Sequence, residues 1–158
     1  MKAIFAGTFD PFTLGHKNIV ERAVKLFDEV IIAVAEDTGK VPAPLKVRTE
    51  IAKAAVSDMV GVTVESFSGL LTDYVKAKGD CTLVRGMRNS VDLEYERDIT
   101  NVYKSLCGVE SVFLITDGRL SHVSSTVVRT VASLGGDISS YVVPRTLNLI
   151  NEIYGKRR

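Results

Sequence analysis

Short apolar runs alternate along this chain with segments whose apolar residues recur at helical spacing. Five runs predict strands, at residues 3–6, 30–35, 62–65, 82–84 and 111–115, and each is followed by a predicted helix. The second run does not alternate, so both of its faces should be covered, whereas the third alternates, as expected of an edge strand. This order is typical of βαβ units. We therefore predict an α/β fold, a doubly wound parallel five-stranded sheet in a single domain spanning residues 1–158.

The stretch GTFDPFTLGH, from Gly7 to His16, lies between the first predicted strand and the first predicted helix. In an open α/β sheet, ligands bind beyond the carboxyl ends of the strands. Gly7 and Gly15 allow the backbone to approach a ligand closely. Thr13 is placed to cap the helix, so His16 falls in its first turn, where free N–H groups favour a phosphate. This turn is therefore a candidate phosphate site.

Polar residues also follow the carboxyl ends of other predicted strands. Lys40 follows the second strand, and Arg85 and Arg88 follow the fourth. The hydroxyl-bearing segment 124–126 follows the fifth. A parallel sheet brings these ends to one edge, so we expect all these groups to converge with the amino-terminal turn in one crevice. Arginine, lysine and helix N-termini together suit a polyphosphate.

Composition excludes several classes of protein. Of 158 residues, 46% are hydrophobic and 25% are charged, as in an ordinary globular domain. The formal net charge of +1 gives no support to a nucleic-acid or membrane-surface protein. Cys81 and Cys107 are far apart and only two histidines occur, which argues against a zinc site and for a reducing compartment. Met1 precedes the first strand closely and no apolar stretch is long enough to span a bilayer, so we expect a cytoplasmic protein.

The string T-F-D-P-x-T-x-G-H around the amino-terminal turn resembles the T-x-G-H signature of the nucleotidyltransferase superfamily. Its particular form is similar to that of bacterial phosphopantetheine adenylyltransferases. The strings RGMR at 85–88 and DLEYE at 92–96 resemble the R-G-[LM]-R and D-[FL]-x-Y-E strings of that family. Lys40 ahead of Pro42, and VSST at 123–126, match two further family segments. The matches run in order over nearly the whole chain.

This resemblance implies a Rossmann-like nucleotidyltransferase fold and a reversible adenylyl transfer. The 4′-phosphate of 4′-phosphopantetheine would attack the α-phosphate of ATP, giving dephospho-CoA and pyrophosphate in coenzyme A biosynthesis. The resemblance also implies a requirement for Mg²⁺, held mainly by phosphates and water rather than by a dedicated protein site. It further implies a homohexamer, with coenzyme A as a feedback ligand.

The resemblance carries the site residues of the family over to matching positions of this chain. The catalytic residues would be His16, Lys40 and Arg88. The residues binding phosphopantetheine would be Thr8, Lys40, Leu71 and Arg85. The residues binding ATP would be Thr8, Phe9, His16, Gly86, Met87, Arg88, Glu96, Leu120, Ser121, His122, Val123, Ser124, Ser125 and Thr126. No protein residue is assigned as a metal ligand.

The residues themselves point to the same chemistry. A phosphate substrate is already an anionic nucleophile, and the sequence contains no evident Ser-His-Asp or Cys-His arrangement. Holding two anions in line and stabilising charge at phosphorus would be sufficient. His16 would donate to the α-phosphate as a neutral imidazole, which keeps one N–H donor. Lys40 and Arg88 would bridge the two phosphates, and we expect Lys40, beside Gly39, to lie on a mobile loop.

Some positions depart from the family pattern, and other functions stay open. Leu120-Ser121-His122 stands where the family usually carries aromatic residues, Tyr103 where some members have Asn, and Thr130 where some have Glu. The segment from Ser124 to Arg129 resembles the S-[ST]-x-x-x-R motif of nicotinate or nicotinamide mononucleotide adenylyltransferases. A cytidylyltransferase is a weaker alternative. The third alternative is a nucleotide-binding regulator without catalysis, although the presence of His16 and Lys40 counts against it.

Overall fold

The computed structural model describes residues 1–36 and 43–155. The predicted mobile loop with Lys40 lies outside these ranges. The described strands are β1 Lys2–Gly7, β2 Glu29–Ala35, β3 Val62–Phe67, β4 Thr82–Met87 and β5 Glu110–Ile115. The described helices are α1 Leu14–Ala23, α2 Leu45–Ala55, α3 Leu71–Lys78, α4 Ser90–Cys107, α5 Ser125–Ser133 and α6 Leu147–Tyr154. Strands and helices therefore alternate as predicted.

The five strands form one parallel sheet in the order β3-β2-β1-β4-β5. This confirms the predicted α/β fold and the edge position of β3. From β1 the chain builds the sheet outward to β3, then returns to place β4 on the other side of β1. Such a reversal of strand order opens a crevice beyond the carboxyl ends of the two central strands.

Two hydrophobic cores cover the two faces of the sheet. Because side chains alternate along a strand, Phe5 of β1 faces one core with Ile32 and Val128, while Ile4 faces the other with Leu83. The lack of alternation in the central strands is explained by this double coverage. The helices therefore hold β1 and β4 rigidly, and their carboxyl ends are fixed in position.

Among the strands, β4 differs most from the sequence prediction. Strand β4 extends through Met87, three residues beyond the predicted end, because Arg85, Gly86 and Met87 pair with residues 113–115 of β5. Arg85 therefore lies within the strand, and only Arg88 follows it. Pro144 begins a short 3₁₀ turn, and the last helix begins after it at Leu147.

The described residues contain no helix that combines the length and the apolar character needed to cross a membrane. Cys81 and Cys107 are both free thiols.

Candidate active site

A cavity of about 360 Å³ opens at the carboxyl ends of β1 and β4, where the strand order reverses. Four separate parts of the chain line it: the β1–α1 turn, the end of β4, the first turns of α4 and the start of α5. The predicted site residues that line it are Thr8, Phe9, His16, Arg85, Gly86, Arg88, Glu96, Val123, Ser124, Ser125 and Thr126. The fold thus collects groups that are more than 100 residues apart in the sequence.

His16 is fixed by reciprocal hydrogen bonds at the start of α1. Thr13 is the N-cap, and its hydroxyl accepts a hydrogen bond from the His16 backbone N–H. In return, the Thr13 backbone N–H donates to His16 Nδ1 over 3.0 Å. A neutral imidazole that accepts at Nδ1 carries its proton on Nε2. The cap therefore selects the tautomer in which Nε2–H is the ring's donor.

Aromatic rings surround the His16 imidazole. The ring centroids of Phe9 and Phe12 lie 5.0 and 5.3 Å from the His16 ring, and that of Phe5 lies 6.3 Å away. Burial lowers the pKa of His16 to about 4, with a further lowering by the positive charge of Arg88. His16 is therefore neutral at physiological pH and is available as a hydrogen-bond donor rather than as a cation.

This low pKa has a consequence for stability. The pKa of His16 is about 4 in the folded protein and 6.5 in the unfolded chain, so between these values the unfolded chain binds the extra proton. The contribution of the neutral His16 to the free energy of unfolding is fully present above about pH 6.5 and decreases as the pH falls toward 4. We expect the free energy of unfolding to drop by about 2 kcal/mol between pH 7 and pH 5. Urea titrations at the two pH values measure this drop, which His16→Ala should largely abolish; an equal drop in that variant would contradict the assignment.

Arg85 and Glu96 form a bidentate ion pair across the cavity wall. Arg85 Nε and Nη2 donate to the two Glu96 carboxylate oxygens over 2.5 and 2.9 Å, and Nη1 donates to the Ala6 carbonyl over 3.2 Å. Both side chains are mostly buried. Three of the five guanidinium N–H groups are thereby used, and two are left for a ligand.

Arg88 is held by Asp92, one helical turn farther along the chain. The Arg88 backbone N–H and Nε both donate to Asp92 Oδ2, over 3.1 and 3.2 Å. Asn89 caps α4 by accepting from the Asp92 backbone N–H. The cap thus places Asp92 directly beside Arg88 and orients a partly exposed guanidinium at the mouth of the cavity.

The start of α5 supplies a wall of the cavity that is rich in hydroxyl groups. Ser124 is the N-cap, accepting from the Val127 backbone N–H over 3.1 Å. Ser125 Oγ donates to the Pro11 carbonyl over 2.7 Å, which joins α5 to the β1–α1 turn. The free N–H groups at a helix start, with hydroxyl groups beside them, favour binding of phosphate oxygens.

Several predicted site residues do not line the cavity. Met87 is buried at the end of β4, and Leu71 begins α3 against the second core. Leu120 ends a 3₁₀ turn, with Ser121 beyond it. His122 is exposed and packs edge-on against Tyr141, with the ring centroids 5.9 Å apart. Lys40 lies outside the described residues.

The sequence analysis also missed residues that build the cavity. Asp92 and Thr116 line it, yet neither received a role. The position of Asp92, three residues after Asn89, is a capping signal that could have revealed its place. Gly86, predicted as an ATP-binding position, also has a packing reason to be glycine, because a Cβ there would lie 2.9 Å from Ile19 Cγ1.

The fold of the chain is shared with known adenylyltransferases. The structure of a bifunctional NMN adenylyltransferase/ADP ribose pyrophosphatase from Francisella tularensis superimposes with a TM-score of 0.72 at 15% identity. The match covers 96% of this chain and 48% of that one. At this identity the likeness concerns the fold alone, and it agrees with the predicted nucleotidyltransferase fold.

Sequence comparisons identify the family. Residues 4–131 match the cytidylyltransferase-like family model. A phosphopantetheine adenylyltransferase from Lawsonia intracellularis is 45% identical over 154 residues, covering 96% of this chain and 90% of that protein. Another, from Acidovorax sp. strain JS42, is 44% identical over 144 residues, covering 90% and 87%. The chain therefore belongs to the cytidylyltransferase-like family and, within it, to the phosphopantetheine adenylyltransferases, a group of nucleotidyltransferases.

Proposed function

We propose that the protein reversibly transfers the adenylyl group of ATP to the 4′-phosphate of phosphopantetheine, giving dephospho-CoA and pyrophosphate for coenzyme A synthesis. The observation that carries this proposal is the 45% identity to a phosphopantetheine adenylyltransferase over 96% of the chain. The cavity supports the chemistry, because it brings a neutral histidine donor, two arginines and a helix N-terminus together. A cytoplasmic location fits the two free thiols.

The attacking phosphate is an anion and needs no strong base. The protein has to align it with the α-phosphate of ATP and stabilise the charge that develops there. His16 Nε2–H is the donor for this charge, and Thr8, at the rim of the cavity, would hold the attacking phosphate. A neutral donor is suited to this task, since it transfers no proton to the reacting oxygens.

Arg88 and Lys40 would bridge the two reacting phosphates. The proposed role of Arg88 is supported by its partly exposed guanidinium, which Asp92 orients at the mouth of the cavity. The role of Lys40 depends on its match to the family motif. Both cations would offset the repulsion between the two anions as they approach one another.

Arg85 and Glu96 would serve different substrates while paired with each other. The two remaining N–H groups of Arg85 would bind phosphopantetheine, whose arm would extend toward Leu71. Glu96 would contact the nucleotide away from the reacting phosphate. The pair supports this arrangement because each partner fixes the orientation of the other.

ATP would extend from His16 to the start of α5. The β- and γ-phosphates would lie at Ser124, Ser125 and Thr126, where the helix N-terminus is positive. Phe9, in the β1–α1 turn, and Gly86, in β4, would also contact the nucleotide. The remaining predicted ATP-binding positions are Met87, Leu120, Ser121, His122 and Val123, of which Val123 lines the cavity.

Mg²⁺ fits this site as an ion carried by the nucleotide. The described residues contain no group of three or more His, Cys, Asp or Glu side chains able to hold a metal ion. The two carboxylates in the cavity wall, Asp92 and Glu96, already pair with arginines. Phosphate oxygens and water would therefore hold Mg²⁺. When bound, the ion would screen the negative charge of the phosphates.

The long helix α4 supports the proposed homohexamer. Of its 18 residues only Thr100 is buried, while Val91, Tyr95, Val102 and Leu106 are about half exposed or more. These four recur at spacings of four and seven, which places them on one helical face. An apolar face of this kind is typical of a subunit contact, and sedimentation as a monomer would contradict the proposal. Coenzyme A, which combines parts of both substrates, stays the proposed feedback ligand.

A comparison of substrates tests the proposed function. We expect rapid Mg²⁺-dependent pyrophosphate release from ATP with 4′-phosphopantetheine, and little with nicotinamide mononucleotide. Arg129, the arginine of the S-[ST]-x-x-x-R match, does not line the cavity and donates to the Asp10 carbonyl, which counts against the pyridine nucleotide alternative. Faster release with nicotinamide mononucleotide, assayed side by side with the same enzyme, would overturn the proposal.

A further inference from the structure

Four side chains from four parts of the chain meet beneath the β1–α1 turn. They are Arg48 of α2, Arg129 of α5, Tyr154 of α6 and Asp10 of the turn itself, and we call them the turn clamp. Arg48 Nη1 donates to the Thr8 carbonyl over 2.5 Å. Arg129 Nη1 donates to the Asp10 carbonyl over 2.6 Å. The carbonyls of the two residues next to Phe9, Thr8 and Asp10, are thus each held by a guanidinium.

Phe9, between these two carbonyls, has an unusual backbone conformation. Its φ angle is 47°, in the left-handed region that glycine adopts readily and a bulky residue rarely adopts. Such a conformation persists only where the surrounding contacts enforce it. The Arg48 contact holds the peptide group that precedes Phe9, and the Arg129 contact holds the one that follows Asp10, so together they restrain the backbone on both sides of Phe9.

The conformation of Phe9 determines what lies against His16. The Phe9 ring is 3% exposed and meets the His16 ring edge to face, with centroids 5.0 Å apart. It also covers Gly7, where a Cβ would lie 3.2 Å from the ring. A change at Phe9 would therefore admit water to His16 and move one wall of the cavity.

The Asp10 carboxylate joins this arrangement to the last helix. It is 1% exposed, and Oδ1 accepts a hydrogen bond from the Tyr154 hydroxyl over 2.5 Å. Oδ2 lies 3.6 Å from Arg129 Nη1 and has no hydrogen-bond partner among the described residues. Burial and the nearby carboxylate raise the pKa of Tyr154, so its hydroxyl stays a donor. Tyr154 lies beyond residues 4–131, which match the family model.

We propose that Tyr154 and Arg129 are positioning residues for adenylyl transfer, which act through Asp10 to hold Phe9 against His16. The inference rests on the proposed function only for its kinetic consequence, since the packing of His16 can be measured without substrate. It assigns a role to the carboxyl-terminal helix, which contributes no residue to the cavity wall. It also gives Arg129 a contact with the turn instead of with the nucleotide.

Tyr154→Phe tests the proposal, because it removes one hydroxyl and changes no charge. We expect kcat to fall about 10-fold, with KM for ATP changed by less than about 3-fold, as when a catalytic donor is slightly misplaced. In the substrate-free protein, NMR titration should show the pKa of His16 rising from about 4 toward 6.5. The cavity places Arg85, Arg88, Asp92 and Glu96 near His16, and the substitution leaves all four unchanged.

Tyr141→Phe is the matched control, because the Tyr141 hydroxyl makes no hydrogen bond to any described residue. It should leave both kcat and the titration of His16 unchanged. A wild-type kcat in Tyr154→Phe, or a lower kcat with the His16 pKa still near 4, would overturn the proposal. If the His16 pKa rises in Tyr154→Phe while the wild-type protein is inactive with every substrate tested, the clamp is supported and the proposed function is refuted.

Arg129→Gln keeps the proposal testable if Tyr154→Phe does not fold, since the Arg129 side chain is about one-third exposed. We expect kcat to fall and the His16 pKa to rise, with Arg129→Lys restoring part of both. An increase in KM for ATP with unchanged kcat and unchanged His16 titration would mean that Arg129 binds the nucleotide directly, and would overturn its positioning role.

Discussion

His16→Ala should lower kcat by roughly 10²–10³, the usual effect of removing one preorganised donor to a developing oxyanion. The cap with Thr13 fixes the imidazole so that Nε2–H is its donor, and burial keeps it neutral. KM for ATP should change little, because the lost hydrogen bond strengthens mainly in the transition state. Steady-state kinetics with saturating phosphopantetheine and varied ATP measure both quantities.

His122→Phe is the control for this prediction. His122 is exposed, does not line the cavity and packs edge-on against Tyr141, a contact that another flat ring preserves. We expect kcat and KM close to those of the wild type. If His122→Phe were the impaired enzyme and His16→Ala were not, the reacting phosphate would lie elsewhere than at the β1–α1 turn.

Arg48→Met should lower the free energy of unfolding by about 3 kcal/mol, which corresponds to roughly 6–12 °C in Tm for a chain of this size. Arg48 is 1% exposed, and its guanidinium donates to the carbonyls of Thr8, Ala35 and Ala43. Methionine fills a similar volume but donates no hydrogen bond, so these carbonyls would lose a donor in the protein interior. Urea titration and thermal unfolding at pH 7 measure the effect.

Lys53→Met serves as the control on the same helix. Lys53 is about half exposed, and its ion pair with Glu50 lies in solvent, where such pairs contribute little. We expect no clear change in stability. A comparable loss in Lys53→Met, or none in Arg48→Met, would show that the Arg48 hydrogen bonds are not what stabilises this part of the fold.

The sequence predicted those features that depend on neighbouring residues. Central strands such as 30–35 are apolar on both faces because helices cover both, and that pattern is visible without the structure. The cap at Thr13 was also predictable, because a hydroxyl before a helix satisfies the free N–H groups of its first turn. The place of His16 in the first turn of α1 follows directly from the cap.

Contacts between distant residues were not predictable in the same way. The bidentate pair of Arg85 and Glu96 requires α4 to pack beside the end of β4, and the sequence analysis ended β4 three residues too early. Nothing in the local pattern around Arg48 shows that its guanidinium would be buried against Thr8. A charged residue in an amphipathic helix normally faces solvent, so local reasoning favours an exposed side chain.

The sequence alone determined the order of strands and helices along the chain, the capped start of α1 and the motifs that match the family, since all of these depend on residues close together in the chain. Tertiary structure alone decided which of these groups meet. It paired Arg85 with Glu96, placed Asp92 beside the catalytic candidates, and closed the turn clamp from α2, α5 and α6. The physical reason is that hydrogen bonds to buried carbonyls and carboxylates depend on packing between elements, which becomes fixed only when the whole sheet and its helices assemble.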